Sequence, residues 1–267
     1  MEVFDGFALA DKHRRQQVQL TADVQRLLAE VYRRTIDPTR LDATFPLYLA
    51  AASRVLGQGR AASEVLARRY YMMAASGAGF EPEALDASAA PLNLEAVETS
   101  LRVTGPVLVK QQVEKGVPLV LANQLGLAAT IAAGKRIMLD AGREMLIESS
   151  RRDKNVDAWA RISDGASCAF CAMLISRGPV YSEETATFRS HDRCGCGVRL
   201  VFKGERDRGW SSDATAPNRL WKGTDDPERE EGSTLTLAEW RSILKAARSD
   251  PDSPLNKPAK APLRAVA

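Results

Sequence analysis

The fold of this chain depends on two short segments, Cys168-Ala-Phe-Cys171 and His191-Asp-Arg-Cys-Gly-Cys196. Together they contain all four cysteines of a 267-residue chain and one of its two histidines. The spacing is Cys-x2-Cys, then nineteen residues, then His-x2-Cys-x-Cys. A tetrahedral zinc site typically takes two thiolates from one turn of the chain and a second pair of ligands from a distant segment. The sequence therefore predicts that zinc joins the two segments.

The second segment offers three candidate ligands for two positions. We expect Cys168, Cys171 and His191 to bind the ion, with either Cys194 or Cys196 as the fourth ligand. If the backbone around Gly195 is extended, the two neighbouring thiols point to opposite faces and need not both reach one metal. If all four sulfurs bind, His191 lies outside the coordination shell instead. Either set fills four positions with protein atoms, which predicts a structural zinc ion.

Two disulfides, or four unligated thiols in a small core, are the alternatives to a metal. The N-terminus, Met-Glu-Val-Phe-Asp-Gly-Phe at residues 1–7, has neither the basic region nor the apolar region of a secretion signal. We therefore expect the protein to be made in a reducing cytoplasm, which favours metal over disulfides.

The cysteine segments lie within a longer pattern. It runs from Trp159 through Ser163-Asp-Gly165 to Cys168 and Cys171, continues with Arg177-Gly-Pro-Val-Tyr181, and closes with His191, Cys194 and Cys196. This order of elements resembles the signature of the phage Mu F-like (MuF) minor head proteins, especially those of tailed phages and prophages of actinobacteria. The resemblance covers residues 95–203 and is sharpest over 159–196.

The resemblance implies a minor capsid protein of a phage or phage-derived particle that takes part in head assembly or in DNA packaging and ejection. Its location would be the virion, after assembly in the bacterial cytoplasm. The partners implied are the portal protein, the major capsid protein or both, with possible contact to packaged DNA. This chain has no second domain fused after the module, unlike some relatives, so the resemblance implies no enzyme.

Composition and periodicity predict a mainly α fold with a small C-terminal α+β module that zinc holds together. The sequence is 45% hydrophobic with only 6% aromatic residues. Apolar residues keep helical spacing from Val18 to Pro38 and again from Pro46 to Met73. Residues 123–147 are apolar on nearly every face, which predicts packing on several sides or an oligomer contact. The predicted parts are an N-terminal helical segment at 1–80, a MuF-like helical and zinc-binding module at 92–203, a polar linker at 204–232, an amphipathic docking helix at 233–249 and a disordered tail at 250–267.

The docking helix begins at a capping box, Thr236-Leu-Ala-Glu239, and places Trp240, Ile243 and Leu244 on one face. A short amphipathic helix after a linker is typical of an element that binds a partner. The same helix can instead fold back onto its own domain, and the sequence leaves both possibilities open. Trp159 and Tyr181 are interpreted as packing residues that cover the metal module.

Other function classes lack the residues they need. A nucleobase deaminase requires His-x-Glu before its Pro-Cys-x-x-Cys, an order that is absent here. A serine or cysteine hydrolase requires a base, yet His191 is assigned to the metal and His13 lies in a basic leader, where we expect a solvated surface position. We interpret Glu228-Arg-Glu230 as a solvated charge run. No apolar run approaches the length of a membrane span, so we expect no membrane partner.

The alternative function is a zinc-stapled nucleic-acid-binding protein. A net charge of only +3 argues against a dedicated nucleic-acid binder. Five basic residues around the module could nevertheless contact phosphates, or form a mixed surface with nearby acidic residues. They are Arg177, Arg189, Arg193, Arg199 and Lys203.

Overall fold

The structure is a computed structural model that describes residues 4–82, 87–163, 167–181, 187–188, 190–205, 209–223, 235–253 and 255. It confirms a mostly helical fold with a small antiparallel sheet. The elements in chain order are α1 (Gly6–Thr35), α2 (Leu41–Gly77), α3 (Leu94–Arg102), a π-helical turn (Val103–Val107), α4 (Leu108–Glu114), α5 (Leu119–Arg152), β1 (Val156–Ile162), α6 (Ala169–Ile175), β2 (Gly197–Phe202), α7 (Ser212–Lys222) and α8 (Leu237–Ser249).

Three long helices, α1, α2 and α5, form the body of the protein. Their apolar stripes meet in one core, whose largest members include Leu28, Tyr32, Phe45, Leu56 and Met138. From Ile137 to Ile147, α5 is buried on nearly every side, as its sequence predicts. The first turns of α5 behave differently, since several of their apolar side chains are exposed.

The first two helices begin earlier than the periodicity predicts. Asp5 caps α1 because its carboxylate accepts hydrogen bonds from the backbone N–H groups of Phe7 and Ala8, at 2.9 and 3.0 Å. The helix therefore starts at Gly6 instead of Val18. Helix α2 also starts early, at Leu41 instead of near Pro46, although no side chain caps its N-terminus.

This earlier start of α1 corrects the expectation for His13, which is buried instead of solvated. Its ring stacks on Tyr70, with 4.8 Å between the ring centroids. His13 follows Ala10 by three residues and precedes Gln17 by four, so all three lie on the buried face of the helix. Burial lowers the pKa of His13 to about 4, and the imidazole is neutral at pH 7.

The two strands form an antiparallel pair in which Trp159 lies opposite Leu200 and Ile162 lies opposite Gly197. Trp159 also exchanges backbone hydrogen bonds with Tyr181, at 2.9 and 3.3 Å. One apolar face of this sheet packs on the ends of α2 and α5 in a second core, which includes Tyr70 and Met145. The small sheet is therefore fixed to the helical body.

The C-terminal part contains a helix where the sequence predicts a polar linker, and a second helix that packs on its own domain. Within residues 204–232 the chain forms α7, whose N-terminus is capped when the Ser211 hydroxyl accepts the N–H of Ala214 at 2.9 Å. The apolar face of α8 folds back on α6: Trp240 is fully buried and its indole N–H donates to the carbonyl of Ala169 at 2.7 Å. Of the two possibilities that the sequence leaves open for this helix, the structure has the one in which it folds back onto its own domain. Apart from 250–253 and 255, the predicted tail lies outside the described residues, as do 224–234 with the Glu228–Glu230 run.

None of the helices in the described ranges is both long and apolar enough to cross a membrane.

Helices α1, α2 and α5 approach closely at Gly142. Ser63 donates to the side-chain oxygen of Gln17 at 2.8 Å and accepts the N–H of Gly142 at 3.2 Å, and all three groups are buried. A methyl group on Gly142 would lie 2.7 Å from the Ser63 hydroxyl oxygen and 3.1 Å from the Ser63 carbonyl oxygen. This buried polar contact requires glycine because no side chain fits there.

We expect Gly142→Ala to lower the free energy of unfolding by about 2 kcal/mol, because the added methyl group overpacks the contact and displaces buried hydrogen bonds. The matched control is Gly57→Ala, where a methyl group meets nothing within 4 Å. That variant should gain about 0.5–1 kcal/mol from helix propensity. Denaturant titration of both variants checks the difference, and equal stabilities would contradict it.

Candidate metal centre

Helix α6 presents the first pair of thiols. Cys168 is the N-cap residue of this helix, and its sulfur accepts the backbone N–H of Cys171 at 3.5 Å. The Cys-x2-Cys spacing places Cys171 in the first turn, so both sulfurs lie at the same end of the helix. Cys171 is buried and Cys168 lies at the exposed edge.

A tight turn presents the second set of ligands. The N–H of Cys194 donates to the carbonyl of His191 at 3.0 Å, and Arg193 within this turn has a φ of 72°. The turn directs the imidazole and the Cys194 thiol toward α6. Cys196 follows two residues later, immediately before β2, and is buried.

All five predicted ligands meet at this point. His191 Nε2 lies 2.9 Å from the sulfur of Cys168 and 3.3 Å from that of Cys171. The sulfurs of Cys171 and Cys194 are 3.7 Å apart. The ligand atoms form two overlapping trios that share Cys171, one with Cys168 and His191 and the other with Cys194 and Cys196.

The separation of the Cys171 and Cys194 sulfurs fits a tetrahedral metal. Zinc–sulfur bonds of about 2.3 Å place two thiolates of one tetrahedron about 3.8 Å apart, and the sulfurs of Cys171 and Cys194 are separated by 3.7 Å. That distance is far beyond the length of a disulfide bond, about 2.05 Å, and all four cysteines are free thiols. The cluster can therefore hold a metal ion.

The imidazole of His191 is oriented for ligation. Its Nδ1 lies 2.7 Å from the carbonyl oxygen of Asp192, and a carbonyl can only accept, so Nδ1 carries the proton. The lone pair of Nε2 then faces the thiols. Fixing the tautomer through the second ring nitrogen is the usual arrangement for a metal-binding histidine.

The surroundings of the Cys194 thiol favour its ionised form. Hydrogen bonds from Cys171 and then Cys196 lower the pKa of the Cys194 thiol, and the positive charge of Arg143 lowers it further. The hydrogen bond to Cys194 raises the pKa of Cys171. A lowered pKa favours metal binding, because the thiolate is the form of cysteine that binds a soft cation.

Arg143 is the group that joins the cluster to the helical body. It is only 4% exposed, and its guanidinium donates to the carbonyl oxygens of Cys194 and Cys196 at 3.0 and 2.7 Å. It also forms an ion pair with Asp140 at 2.8 Å. The prediction from sequence did not single out this residue. Its position four residues from both Leu139 and Ile147, which are buried, is the signal that places it on an inward face.

Aromatic rings cover the cluster. The guanidinium groups of Arg143 and Arg161 both stack on the ring of Phe188, at 4.5 and 3.7 Å from its centroid. Arg161 lies 3.6 Å from the sulfur of Cys171. Trp159 is buried and stacks on Tyr181, with centroids 4.4 Å apart. Both of these residues pack beside the site, as the sequence predicts.

Two polar contacts hold the ligand turn along α5. Arg136 pairs with Asp192 at 2.7 Å, and the hydroxyl of Ser190 donates to Asp140 at 2.9 Å. The turn is therefore fixed on both sides of His191.

One of the basic residues proposed to contact phosphates is not available to a ligand. Arg199 is buried, stacks over the ring of Phe7 at 4.9 Å and lies 3.7 Å from Glu205. Arg177, Arg193 and Lys203 are exposed, whereas Arg189 lies outside the described residues.

A family model described as VG15 protein matches residues 8–222. The chain belongs to the VG15 protein family. The match contains the complete metal centre and extends from α1 through α7. Membership in the VG15 family indicates a phage-type protein, and the finer likeness to MuF minor head proteins rests on the sequence pattern alone. No curated protein and no solved structure matches the chain.

We expect Arg143→Met to lower the free energy of unfolding by about 3 kcal/mol. The substitution keeps much of the side-chain volume but removes the buried ion pair with Asp140 and leaves two buried carbonyl groups without the guanidinium. Arg152→Met on the same helix is the matched control, since Arg152 pairs with Glu148 at the surface and its loss should cost less than about 1 kcal/mol. Chemical unfolding of both variants measures the difference. Equal unfolding midpoints would show that Arg143 does not anchor the ligand turn.

Proposed function

We propose that this protein is a minor head protein of a tailed phage or phage-derived particle, and that it acts through a rigid, zinc-held module. Membership in a phage-type family supports the setting. The observation that carries the proposal is the cluster in which His191 Nε2 faces the sulfurs of Cys168 and Cys171, and the sulfur of Cys171 lies beside that of Cys194. These residues belong to the pattern that resembles the MuF signature.

Zinc suits this donor set because thiolates and imidazole are its preferred ligands. We assign Cys168, Cys171, His191 and Cys194 as the four ligands. Cys196 is the thiol left outside, and its sulfur lies 3.9 Å from the hydroxyl of Ser167. When bound, the ion supplies a cross-link between α6 and the turn before β2, and its binding free energy contributes to folding.

The same ligand set argues for a structural role instead of catalysis. Four protein ligands leave no position for a water or a substrate. Neither histidine is placed as a general base, since His191 faces the thiols and His13 is buried against Tyr70. The proposed work of the module is therefore recognition, with the portal protein, the major capsid protein or both as partners.

The module has the rigidity that recognition needs. Its ligand turn is bonded to α5 through Arg143 and Arg136, and its α6 is covered by α8. Arg248 of α8 donates to the carbonyl of Ser167 beside the cluster. Side chains held in this way lose little conformational freedom on binding. Any contact with packaged DNA would use exposed basic residues such as Arg177 and Arg193.

The ligand assignment predicts a contrast between two cysteines. Elemental analysis of the purified protein should find about one zinc per chain. Cys194→Ser should lose the metal at chelator concentrations that the wild type withstands, because a hydroxyl is a poor replacement for a thiolate ligand. Cys196→Ser should retain the metal and serves as the matched control, since the two thiols are close neighbours.

Metal loss from Cys196→Ser alone would reverse the assignment of the fourth ligand. A wild-type protein that contains no zinc after purification under reducing conditions would contradict the metal-held module.

The head role predicts that the chain is a component of particles. Mass spectrometry of purified particles from a phage or prophage that encodes it should detect the chain at a small fraction of the major capsid protein. The double variant Cys168→Ser, Cys171→Ser should be incorporated into particles at a lower level than the wild type, because its module no longer holds its shape. Arg26→Ala, on the exposed surface of α1, is the control. Absence of the wild-type chain from particles would contradict the proposal.

A further inference from the structure

Helix α8 holds the backbone on both sides of Cys168. The indole N–H of Trp240 donates to the carbonyl of Ala169 at 2.7 Å, and the guanidinium of Arg248 donates to the carbonyl of Ser167. These two carbonyls belong to the residues that flank Cys168 in the chain. A single helix therefore restrains the backbone of this ligand at two points.

Cys168 is the candidate ligand that solvent reaches most easily. It is exposed, whereas Cys171 and Cys194 are buried and His191 is partly buried. Four ligands enclose a bound ion, so a competing chelator takes the ion only where a ligand is accessible and can move aside. Cys168 is that ligand, and its freedom to move depends on the backbone that α8 restrains.

The packing beneath α8 is separate from the two main cores. Among the residues that the structure describes, its fully buried members are Ala172, Trp240 and Leu244. The cores that hold α1, α2, α5 and the sheet are larger and share none of these three residues. A segment with few buried apolar contacts opens locally at a lower free energy than the whole protein unfolds. Helix α8 can therefore leave α6 while the helical body stays folded.

Helix α8 supplies no metal ligand of its own. From Leu237 to Ser249 it contains neither cysteine nor histidine. It also lies outside residues 8–222, the part of the chain that matches the family model and that contains every candidate ligand. Its bonds to α6 therefore act on the ligands from outside the coordination shell. Groups in that position orient metal ligands and strengthen metal binding.

We propose that α8 is a clasp that controls exchange of the metal ion at Cys168. Trp240 and Arg248 are the positioning residues through which the clasp acts. When α8 is packed on α6, it keeps Cys168 beside Cys171 and His191. When α8 opens, the backbone at 167–169 loses both restraints and Cys168 separates from the other ligands at a higher rate. This inference rests on the zinc-held module proposed above, because the clasp has no function without a bound ion.

The bond from Arg248 separates a clasp from a simple cover. A helix that only buries apolar surface on α6 needs Trp240 and Leu244, which are both buried. Arg248 is largely exposed, so it adds little apolar burial. Its bond to the carbonyl of Ser167 instead restrains the chain directly before Cys168. Loss of this bond alone should therefore change the rate of metal exchange.

The test is the rate at which the zinc-loaded, full-length protein transfers zinc to an excess of the chromogenic chelator 4-(2-pyridylazo)resorcinol. We expect Trp240→Ala to release zinc at least about tenfold faster than the wild type, because it removes both a hydrogen bond and the buried ring that holds α8. Arg248→Ala should release zinc about threefold faster through the loss of one bond. Arg248→Lys keeps a charged donor and should stay closer to the wild type. Arg241→Ala, at an exposed position of the same helix, is the matched control.

Two further measurements locate the effect in the clasp. Alkylation of Cys168 by iodoacetamide, followed by mass spectrometry on the zinc-loaded variants, should accelerate in the same order as zinc release. Amide hydrogen exchange in Trp240→Ala should be faster in α8 and unchanged in the buried part of α5, from Ile137 to Ile147.

Faster zinc release and faster Cys168 alkylation in Trp240→Ala and Arg248→Ala, with Arg241→Ala like the wild type, support the clasp. Equal release rates in all variants overturn the clasp and leave the zinc-held module in place. Faster release accompanied by faster exchange throughout α5 also overturns the clasp, because the whole fold is then destabilised. A wild-type protein that binds no zinc contradicts the module and the clasp together, so the two failures are distinguishable.

Discussion

The hydrogen bonds from the Arg143 guanidinium to the carbonyl oxygens of Cys194 and Cys196 are the contact on which the metal centre depends. A buried cation must be paired and hydrogen-bonded, or its desolvation destabilises the folded state by several kcal/mol. Asp140 balances the charge and the two carbonyls accept the remaining N–H groups. These bonds hold the ligand turn across α5, so the sulfur of Cys194 lies 3.7 Å from that of Cys171 on α6, a distance that suits a shared metal.

The small sheet follows from the same contact. Cys196 is followed directly by Gly197, where β2 begins. The hydrogen bond from Arg143 to the carbonyl of Cys196 therefore also fixes the position at which the strand starts. β2 then pairs with β1, and the pair is buried on the ends of α2 and α5. The module is thus connected to the body by a buried ion pair and by an apolar core. It can present a recognition surface without moving relative to the helices, which is the property that the proposed role in a phage head requires.

The helical class and the grouping of the candidate metal ligands were predictable because they depend on local patterns. Apolar spacing identifies a helix wherever one face is buried, and a Cys-x2-Cys pair identifies a metal site through the chemistry of its ligands. Helix ends were harder to predict. The Asp5 cap extends α1 toward the N-terminus through polar residues, and this extension places His13 on the buried face instead of in solvent. Likewise α7 is polar in composition, and its capping by Ser211 outweighs that polarity.

The sequence by itself determined which atoms are available to a metal and that most of the chain is helical, since both depend on residues within a few positions of one another. Only the tertiary structure decided that Arg143 bonds Cys194 and Cys196, that Trp240 is buried on α6, and that the first turns of α5 stay exposed while the later turns do not. An amphipathic or apolar segment has the same sequence whether its own chain or another molecule covers it. The difference depends on which elements pack together in space, and contacts between residues far apart in the chain set that packing.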